Sequence, residues 1–168
     1  MIRYADFSSA DVTKIKNSDL KLYKEQMIIN KESGGNPRYR YCLHKSVESK
    51  VHEMLICISK DDYSRPHKHN SVSESHMIIE GSILVVLFEE DGKIMDYFVL
   101  SRKQEDYLIH RIEPGIYHMS IPISDVAIFC EVKQGPFNKT DDTYADWAPE
   151  NKNQEFMNGI LKEINLVK

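Results

Sequence analysis

The stretch Ser64-Arg65-Pro66-His67-Lys68-His69-Asn70-Ser71-Val72-Ser73-Glu74-Ser75-His76-Met77-Ile78-Ile79-Glu80-Gly81 contains three of the seven histidines of the chain. In an extended strand, residues i and i+2 project from the same face, so His67 and His69 direct two imidazoles to one place. The turn-forming residues from Asn70 to Ser73 allow Glu74 to return toward the pair. This spacing predicts two strands that present chelating side chains to a common site.

A further ligand candidate follows in Pro114-Gly115-Ile116-Tyr117-His118, where His118 comes just after a tight turn that opens a new strand. Three imidazoles and one carboxylate suit one divalent transition metal ion such as Zn, Fe, Mn or Ni. Four protein ligands leave two positions open on an octahedral ion, or one if the carboxylate binds through both oxygens. We therefore predict a metal site of His67, His69, Glu74 and His118. The alternative for the His-x-His pair is two surface residues on an edge strand.

Short runs rich in Val, Ile, Leu, Phe and Tyr fill the middle of the chain, with Gly, Pro, Asn and Asp between them. Such a pattern, without helical spacing between the strands, predicts an antiparallel sandwich or barrel. Helical spacing predicts one helix near the N-terminus and one near the C-terminus. The predicted strands are Val51–Ser59, His76–Glu80, Ser82–Phe88, Ile94–Leu100, Tyr107–Ile112 and Val126–Lys133, and the predicted helices are Asn17–Lys31 and Asn153–Val167. The expected fold class is all-β with peripheral helices.

The length of 168 residues suits one domain, which we divide into a helical extension (1–37), a strand-rich body (38–137) and a C-terminal segment with a helix (138–168). The 22 basic and 26 acidic residues are interspersed, which argues against a nucleic-acid partner. No apolar run approaches the roughly 20 residues of a membrane helix, and the N-terminus lacks signal-peptide features. We expect a cytoplasmic protein without a membrane partner. Cys42, Cys57 and Cys130 form no Cys-x-x-Cys motif, and the last two lie in apolar runs typical of buried, inert thiols.

The histidine stretch resembles the first motif of the cupin superfamily, Gly, five residues, His-x-His, three or four residues, Glu, six residues, Gly. His67, His69, Glu74 and Gly81 match it, whereas Asp61 stands at the leading Gly position. In the second cupin motif, Gly115 and His118 match, while Glu113 and Pro122 replace a Pro and an Asn. The resemblance implies an antiparallel jelly-roll barrel with a metal ion inside it.

A narrower resemblance, to the WbuC family of cupin-fold metalloproteins, covers most of the chain. Four motifs support it in the right order: Arg38-Tyr39-Arg40-Tyr41-Cys42-Leu43-His44, Arg65-Pro66-His67-Lys68-His69, Glu131-Val132-Lys133-Gln134-Gly135-Pro136-Phe137 and Trp147-Ala148-Pro149-Glu150. The family is named after bacterial O-antigen gene clusters. The resemblance therefore implies a role in surface-polysaccharide (lipopolysaccharide or O-antigen) biosynthesis.

Two side chains near the predicted ligands are candidate catalytic groups. His76 shares the inward face of its strand with Glu74, so it could orient a ligand or transfer protons. Its alternative role is that of a packing substitute for an aromatic ring. Glu131 lies within an apolar strand, where a carboxylate is costly unless it is paired. It could act as a base, or it could form an internal ion pair.

Candidate substrate-binding residues surround these groups. Arg38 and Arg40, at positions i and i+2, could form a fork for a carboxylate or a diphosphate, with His44 beside them. Arg65 precedes the ligand strand, and Tyr117 is a candidate wall residue with a hydroxyl donor. The alternatives are solvated strand charges and a core aromatic ring. His52 and His110 have no chelating partner at a useful spacing and are predicted to be structural or exposed.

These residues lead to three functional hypotheses. The first is a mononuclear metal enzyme that isomerises or epimerises a sugar-derived or hydroxy-carbonyl small molecule by Lewis-acid chemistry. The second is an iron-dependent dioxygenase with the same ligands. The third is a non-catalytic binding module for a small molecule or carbohydrate, because a fold does not determine a function. The terminal helices suggest a homodimer.

Overall fold

Two packed sheets form the body of the protein, in a computed structural model that describes residues 2–5, 12–35 and 37–165. The elements in chain order are β1 (Ile2–Tyr4), α1 (Asp19–Glu32), β2 (Arg38–Cys42), β3 (Val51–Ser59), β4 (His67–His69), β5 (Glu74–Glu80), β6 (Ser82–Phe88), β7 (Ile94–Ser101), β8 (Ile109–Ile112), β9 (Tyr117–Pro122), β10 (Val126–Gln134), β11 (Asp142–Tyr144) and α2 (Gln154–Glu163). The predicted fold class, all-β with peripheral helices, is confirmed.

The strands pair in the orders β1-β2-β3-β10-β5-β8 and β11-β4-β9-β6-β7. All named pairs are antiparallel except β1 with β2. The sequence predicts only helix in residues 1–37, whereas the structure adds the three-residue strand β1, which is too short to show a hydrophobic period. The strand predicted from Tyr107 begins at Ile109, and the predicted end of the last helix at Val167 lies outside the described residues.

Each helix covers the outer face of one sheet. In α1, Tyr23 and Met27 are buried against side chains such as Tyr39 and Leu55 of the six-stranded sheet. In α2, Met157 and Ile160 are buried on the five-stranded sheet in the cluster that includes Val86, Phe88 and Met119. The Asn153 side chain caps α2 by accepting the Phe156 N–H at 3.0 Å. The inner faces of both sheets are thereby left to define the interior.

The side chains that fill the interior between the sheets change from apolar to ionisable along the strands. The inward side chains of β5 pass from Ile78, in the apolar cluster, to His76 and Glu74. Those of β10 pass from Phe129 to Glu131. The interior is therefore apolar at one end and lined by ionisable groups at the other, where the candidate site lies. No helix within the described residues is long and apolar enough to cross a membrane.

Candidate metal centre

The four predicted ligands meet at the polar end of the interior. His67 on β4 lies directly opposite His118 on β9, and the ligand nitrogens of His67, His69 and His118 lie within 4.8 Å of one another. Glu74, at the start of β5, completes the group. Its Oε2 is 3.0 Å from His69 Nε2, and its Oε1 is 3.0 Å from His118 Nε2. The strand pairing thus assembles donors that are far apart in the sequence.

Backbone contacts hold two of the imidazoles in the orientation that a metal ion requires. His67 Nδ1–H donates to the Arg65 carbonyl and His118 Nδ1–H to the Ile116 carbonyl, each at 2.9 Å. In these tautomers Nε2 has a free lone pair. His118 Nε2 is buried, and the Glu74 Oε1 atom 3.0 Å away is an acceptor like the unprotonated nitrogen itself. A metal ion would satisfy this atom, so the residues present fit a metal site.

The third imidazole is held by a carboxylate. His69 Nδ1 lies 2.7 Å from Asp142 Oδ1 on β11, and Lys133 Nζ lies 3.4 Å from the same oxygen. A carboxylate at the remote nitrogen fixes the ring of a metal-binding histidine and raises its basicity. Asp142 and Lys133 are therefore members of the site that the sequence did not predict.

Burial and charged neighbours together determine the pKa values of the ligand candidates. Burial lowers the pKa of His67 to about 4, so this ring is neutral at neutral pH. Burial acts against charge on His69 too, but its contacts with Asp142 and Glu74 outweigh that effect and raise its pKa to about 9. For Glu74, burial is outweighed by His76 and the other surrounding imidazoles, which hold its pKa well below its ordinary value. The site thus combines a neutral imidazole with an ionised carboxylate.

His76 and Glu131 form a pair beside the ligands. They lie directly opposite each other on β5 and β10, and Nε2 of His76 is 3.5 Å from Glu131 Oε2 and 3.2 Å from Glu74 Oε1. Burial opposes charge on both, yet Glu74 and Glu131 raise the pKa of His76 to about 10, and His76 lowers that of Glu131. The structure therefore places an ionised carboxylate next to the predicted ligands.

The predicted arginine fork does not form as expected. Arg38 Nη2 donates to the fully buried Asp62 side chain at 2.5 Å, so Arg38 is engaged in an ion pair. The Arg40 side chain lines the interior cavity, and no hydrogen bond or ion pair engages its guanidinium group within the described residues. Arg65 Nη2 donates to the Ala145 carbonyl at 2.8 Å and so anchors the C-terminal segment. Of the three, Arg40 is the guanidinium most available to a ligand.

A cavity of about 650 Å³ contains the candidate site. Every predicted site residue except Tyr117 lines it: Arg38, Arg40, His44, Arg65, His67, His69, Glu74, His76, His118 and Glu131. The sequence predicts Tyr117 beside the substrate, whereas the structure places it on the outer face of β9, against Trp147. Successive strand residues face opposite sides, so the inward position of His118 turns Tyr117 outward. His52, predicted as a bystander, lines the cavity as well.

Comparison with solved structures agrees with this architecture. Protein SO0799 from Shewanella oneidensis aligns with a TM-score of 0.51 at 10% identity, over 74% of this chain and 76% of that one. The capsular polysaccharide assembling protein CapF from Staphylococcus aureus aligns with a TM-score of 0.50 at 10% identity, over 61% of this chain. The chain has the cupin fold. Its match spans 28% of CapF, and at these identities the likeness concerns the fold alone.

Sequence comparison adds a family without an assigned role. A family model described as a domain of unknown function, DUF6016, matches residues 26–100 of this chain, which include His67, His69 and Glu74 but not His118 or Glu131. No curated protein matches the chain. The chemistry of this chain must therefore be argued from its own residues.

Proposed function

We propose that this chain is a mononuclear metal-dependent enzyme that isomerises or epimerises an anionic, sugar-derived hydroxy-carbonyl compound. The observation that supports this proposal is the convergence of His67, His69, His118 and Glu74 in a cavity that also contains an ionised Glu131. When bound there, a divalent ion such as Zn, Fe, Mn or Ni would polarise a carbonyl and make the neighbouring C–H more acidic. Four protein ligands leave coordination positions for a substrate.

Glu131 is the proposed base. Its carboxylate lies in the cavity beside His76, and the lowered pKa keeps it ionised, so that it is able to accept a proton from a carbon. His76 stabilises the carboxylate and supports the return of the proton. Return to the neighbouring carbon on the same face gives isomerisation. Epimerisation also requires the deprotonated substrate to turn its other face to this pair before the proton returns to the same carbon.

Arg40 is the proposed anion-binding residue. A guanidinium group inside a cavity without an ion-pair partner costs free energy, and burial lowers the pKa of Arg40. A substrate carboxylate or phosphate would complete its interactions by a bidentate contact. The ion pair of Arg38 with Asp62 leaves that anion to Arg40. The proposed substrate is therefore negatively charged.

The finer assignments rest on the sequence motifs. We propose membership of the WbuC family and a role in bacterial surface-polysaccharide biosynthesis on the strength of the four motifs, and a cytoplasmic location because all three cysteines are free. We also propose a homodimer. Leu22 and Ile29 of α1 are exposed apolar residues that a second copy would cover, and the mass in solution tests this directly.

Solvent deuterium exchange tests the proposed chemistry even when the product is unidentified. The metal-loaded protein is incubated in D₂O with a panel of uronates and aldose phosphates, and proton NMR follows the signal of each C–H next to a carbonyl. We expect exchange of this proton with at least one compound, and no exchange with His67→Ala. Binding of panel compounds without any exchange would contradict the enzyme and favour a binding module. Consumption of oxygen without exchange would favour the dioxygenase.

A further inference from the structure

A wall of aromatic and apolar side chains lies at the mouth of the cavity. Its members, which we call the mouth wall, are Tyr4, His44, Val47, His52 and Phe137. Tyr4 and Phe137 are 38% and 51% exposed, although both line the cavity. None of the five is a carboxylate, an ammonium or a guanidinium group. The mouth wall therefore contrasts with the charged groups around the metal ligands.

The two imidazoles of the mouth wall are rigidly held. The rings of His44 and His52 stack with centroids 4.1 Å apart and an angle of 7° between their planes, and Tyr4 packs edge-on against His44 at 5.6 Å. His52 Nε2–H donates to the Val47 carbonyl at 3.1 Å. These contacts within the protein fix the positions of both rings.

Two loops are joined to build this wall. The Gly135 N–H donates to the Lys50 carbonyl at 2.9 Å, and the Phe137 N–H donates to the Val47 carbonyl at 2.8 Å. A Cβ on Gly135 would lie 2.7 Å from His52 Cδ2 and 2.1 Å from the Ser49 carbonyl oxygen, so a glycine is needed at this close approach. The motif that begins at Glu131 is thus joined to residues 47–52 at the mouth.

His44 offers its Nε2 atom to the cavity. The Glu53 N–H and the Glu53 carbonyl oxygen both lie 3.1 Å from His44 Nδ1, so the backbone engages Nδ1 in either tautomer. Burial lowers the pKa of His44, which keeps the ring neutral. The wall thus combines apolar faces with one polar ring nitrogen that a hydroxyl group can hydrogen-bond.

The mouth wall and the metal ligands lie in one row across the inner face of the six-stranded sheet. His52 on β3 is opposite Lys133 on β10, and Lys133 is opposite Glu74 on β5. Two strand spacings place His52 about 10 Å from Glu74. That span accommodates a hydroxy-carbonyl group at the metal ligands and one six-membered ring between them and the mouth.

We propose that the mouth wall is a subsite for the sugar ring of the substrate, in its closed pyranose form. This inference rests on the proposed function and specifies its substrate class. A pyranose has an apolar face that packs on aromatic rings and hydroxyl groups that can form a hydrogen bond with His44 Nε2 in either tautomer. A phosphate would need positive charge at the wall, and an alkyl chain would not use the polar ring nitrogen. The anion of the substrate binds deeper, at Arg40.

Two small anions test the subsite. Glycolate has a carboxylate and a neighbouring hydroxyl, and D-glucuronate adds a pyranose ring, so the ratio of their dissociation constants reports on the ring. We expect the zinc-loaded protein to bind glucuronate about tenfold more tightly than glycolate, because packing of one ring face on an aromatic wall contributes a free energy of that size. Phe137→Ala and, separately, Tyr4→Ala should reduce this preference severalfold. Tyr97→Ala removes an exposed aromatic ring outside the cavity and should leave the preference for glucuronate unchanged.

Each of the remaining outcomes would contradict either the ring subsite or the proposed enzyme activity. Equal affinities for the two anions, no binding of either, or a preference that survives in both wall variants would overturn the ring subsite. A ring-dependent gain seen with uridine monophosphate but not with glucuronate would show that the wall takes a nucleobase instead of a sugar, which also overturns it. Ring-dependent binding of glucuronate with no deuterium exchange in the whole panel would contradict the proposed enzyme and retain the subsite.

Discussion

His67 and His118 lie directly opposite each other on the antiparallel strands β4 and β9, with ring centroids 4.6 Å apart. Each donates Nδ1–H to the carbonyl of the residue two positions before it, Arg65 or Ile116. The same local arrangement on two strands therefore presents two Nε2 lone pairs to one point. Such symmetry is difficult to explain by packing alone, since packing does not require the free nitrogens to converge.

Replacement of a ligand should abolish metal retention. In His67→Ala or His118→Ala, one of four donors is lost, and we expect less than one tenth of the wild-type metal content in protein purified without added ions, measured by plasma mass spectrometry. His110→Gln is the matched control, because its nitrogens are not among the converging ligand atoms. Full occupancy in both alanine variants would refute the ligand assignment.

Removal of the metal should destabilise the fold. A ligand present at a hundredfold its dissociation constant stabilises the native state by about 2.7 kcal/mol. For a chain of this size we expect the Tm to fall by about 5–10 °C after treatment with a chelator and to recover when the ion is restored, as measured by calorimetry. An unchanged Tm in protein shown to have lost its metal would contradict this coupling.

Asp142 should control metal affinity without touching the metal. Asp142→Asn weakens the acceptor for His69 Nδ1–H, and loss of such a partner lowers affinity by about 10 to 100-fold. Competition with a chromophoric chelator measures the dissociation constant. Asp96→Asn makes the same chemical change at an exposed position and should leave it unaltered. Equal affinities in the two variants would remove Asp142 from the site.

Glu131 should act on the reaction and not on metal content. Glu131→Gln keeps the size of the side chain but cannot accept the proton, so deuterium exchange should slow by about 10² to 10⁴-fold. Metal content should remain near that of the wild type. Glu53→Gln lies on the exposed side of β3 and provides the control. Exchange at the wild-type rate in Glu131→Gln would exclude it as the base.

Gly135 should be sensitive to a single methyl group. Gly135→Ala places a Cβ against the Ser49 carbonyl and His52, and we expect a loss of about 1–3 kcal/mol in the free energy of unfolding, measured in urea. Gly159→Ala, in α2 with no heavy atom within 4 Å of the new Cβ, should instead stabilise by about 0.5–1 kcal/mol. A neutral Gly135→Ala would show that the loops at the mouth are not closely packed.

The strands and the ligand pair could be predicted because they depend on local periodicity. Apolar runs between turn-forming residues identified Val51–Ser59 and Ser82–Phe88 with the observed bounds, and the two-residue period of a strand placed His67 and His69 on one face. The alternation of strand residues also predicts the outward position of Tyr117, because Tyr117 directly precedes the inward-facing His118. The expectation that Tyr117 lines the cavity conflicts with this rule.

Other members of the site leave no local signal. Asp142 belongs to the three-residue strand β11 and meets His69 only through a pairing that spans 73 positions. The partner of Arg38 is Asp62, which lies on a different segment, so the spacing of Arg38 and Arg40 could not show that one guanidinium is engaged. Contacts of this kind depend on how sheets meet in three dimensions.

The position of β11 has a consequence for biosynthesis. The strands that supply His67, His69, Glu74 and His118 all precede Asp142, which steadies His69 from the far end of the chain. During translation, the four donors leave the ribosome before the residue that orients the third imidazole. An ion bound before β11 has joined β4 would therefore meet a His69 ring that lacks its carboxylate partner.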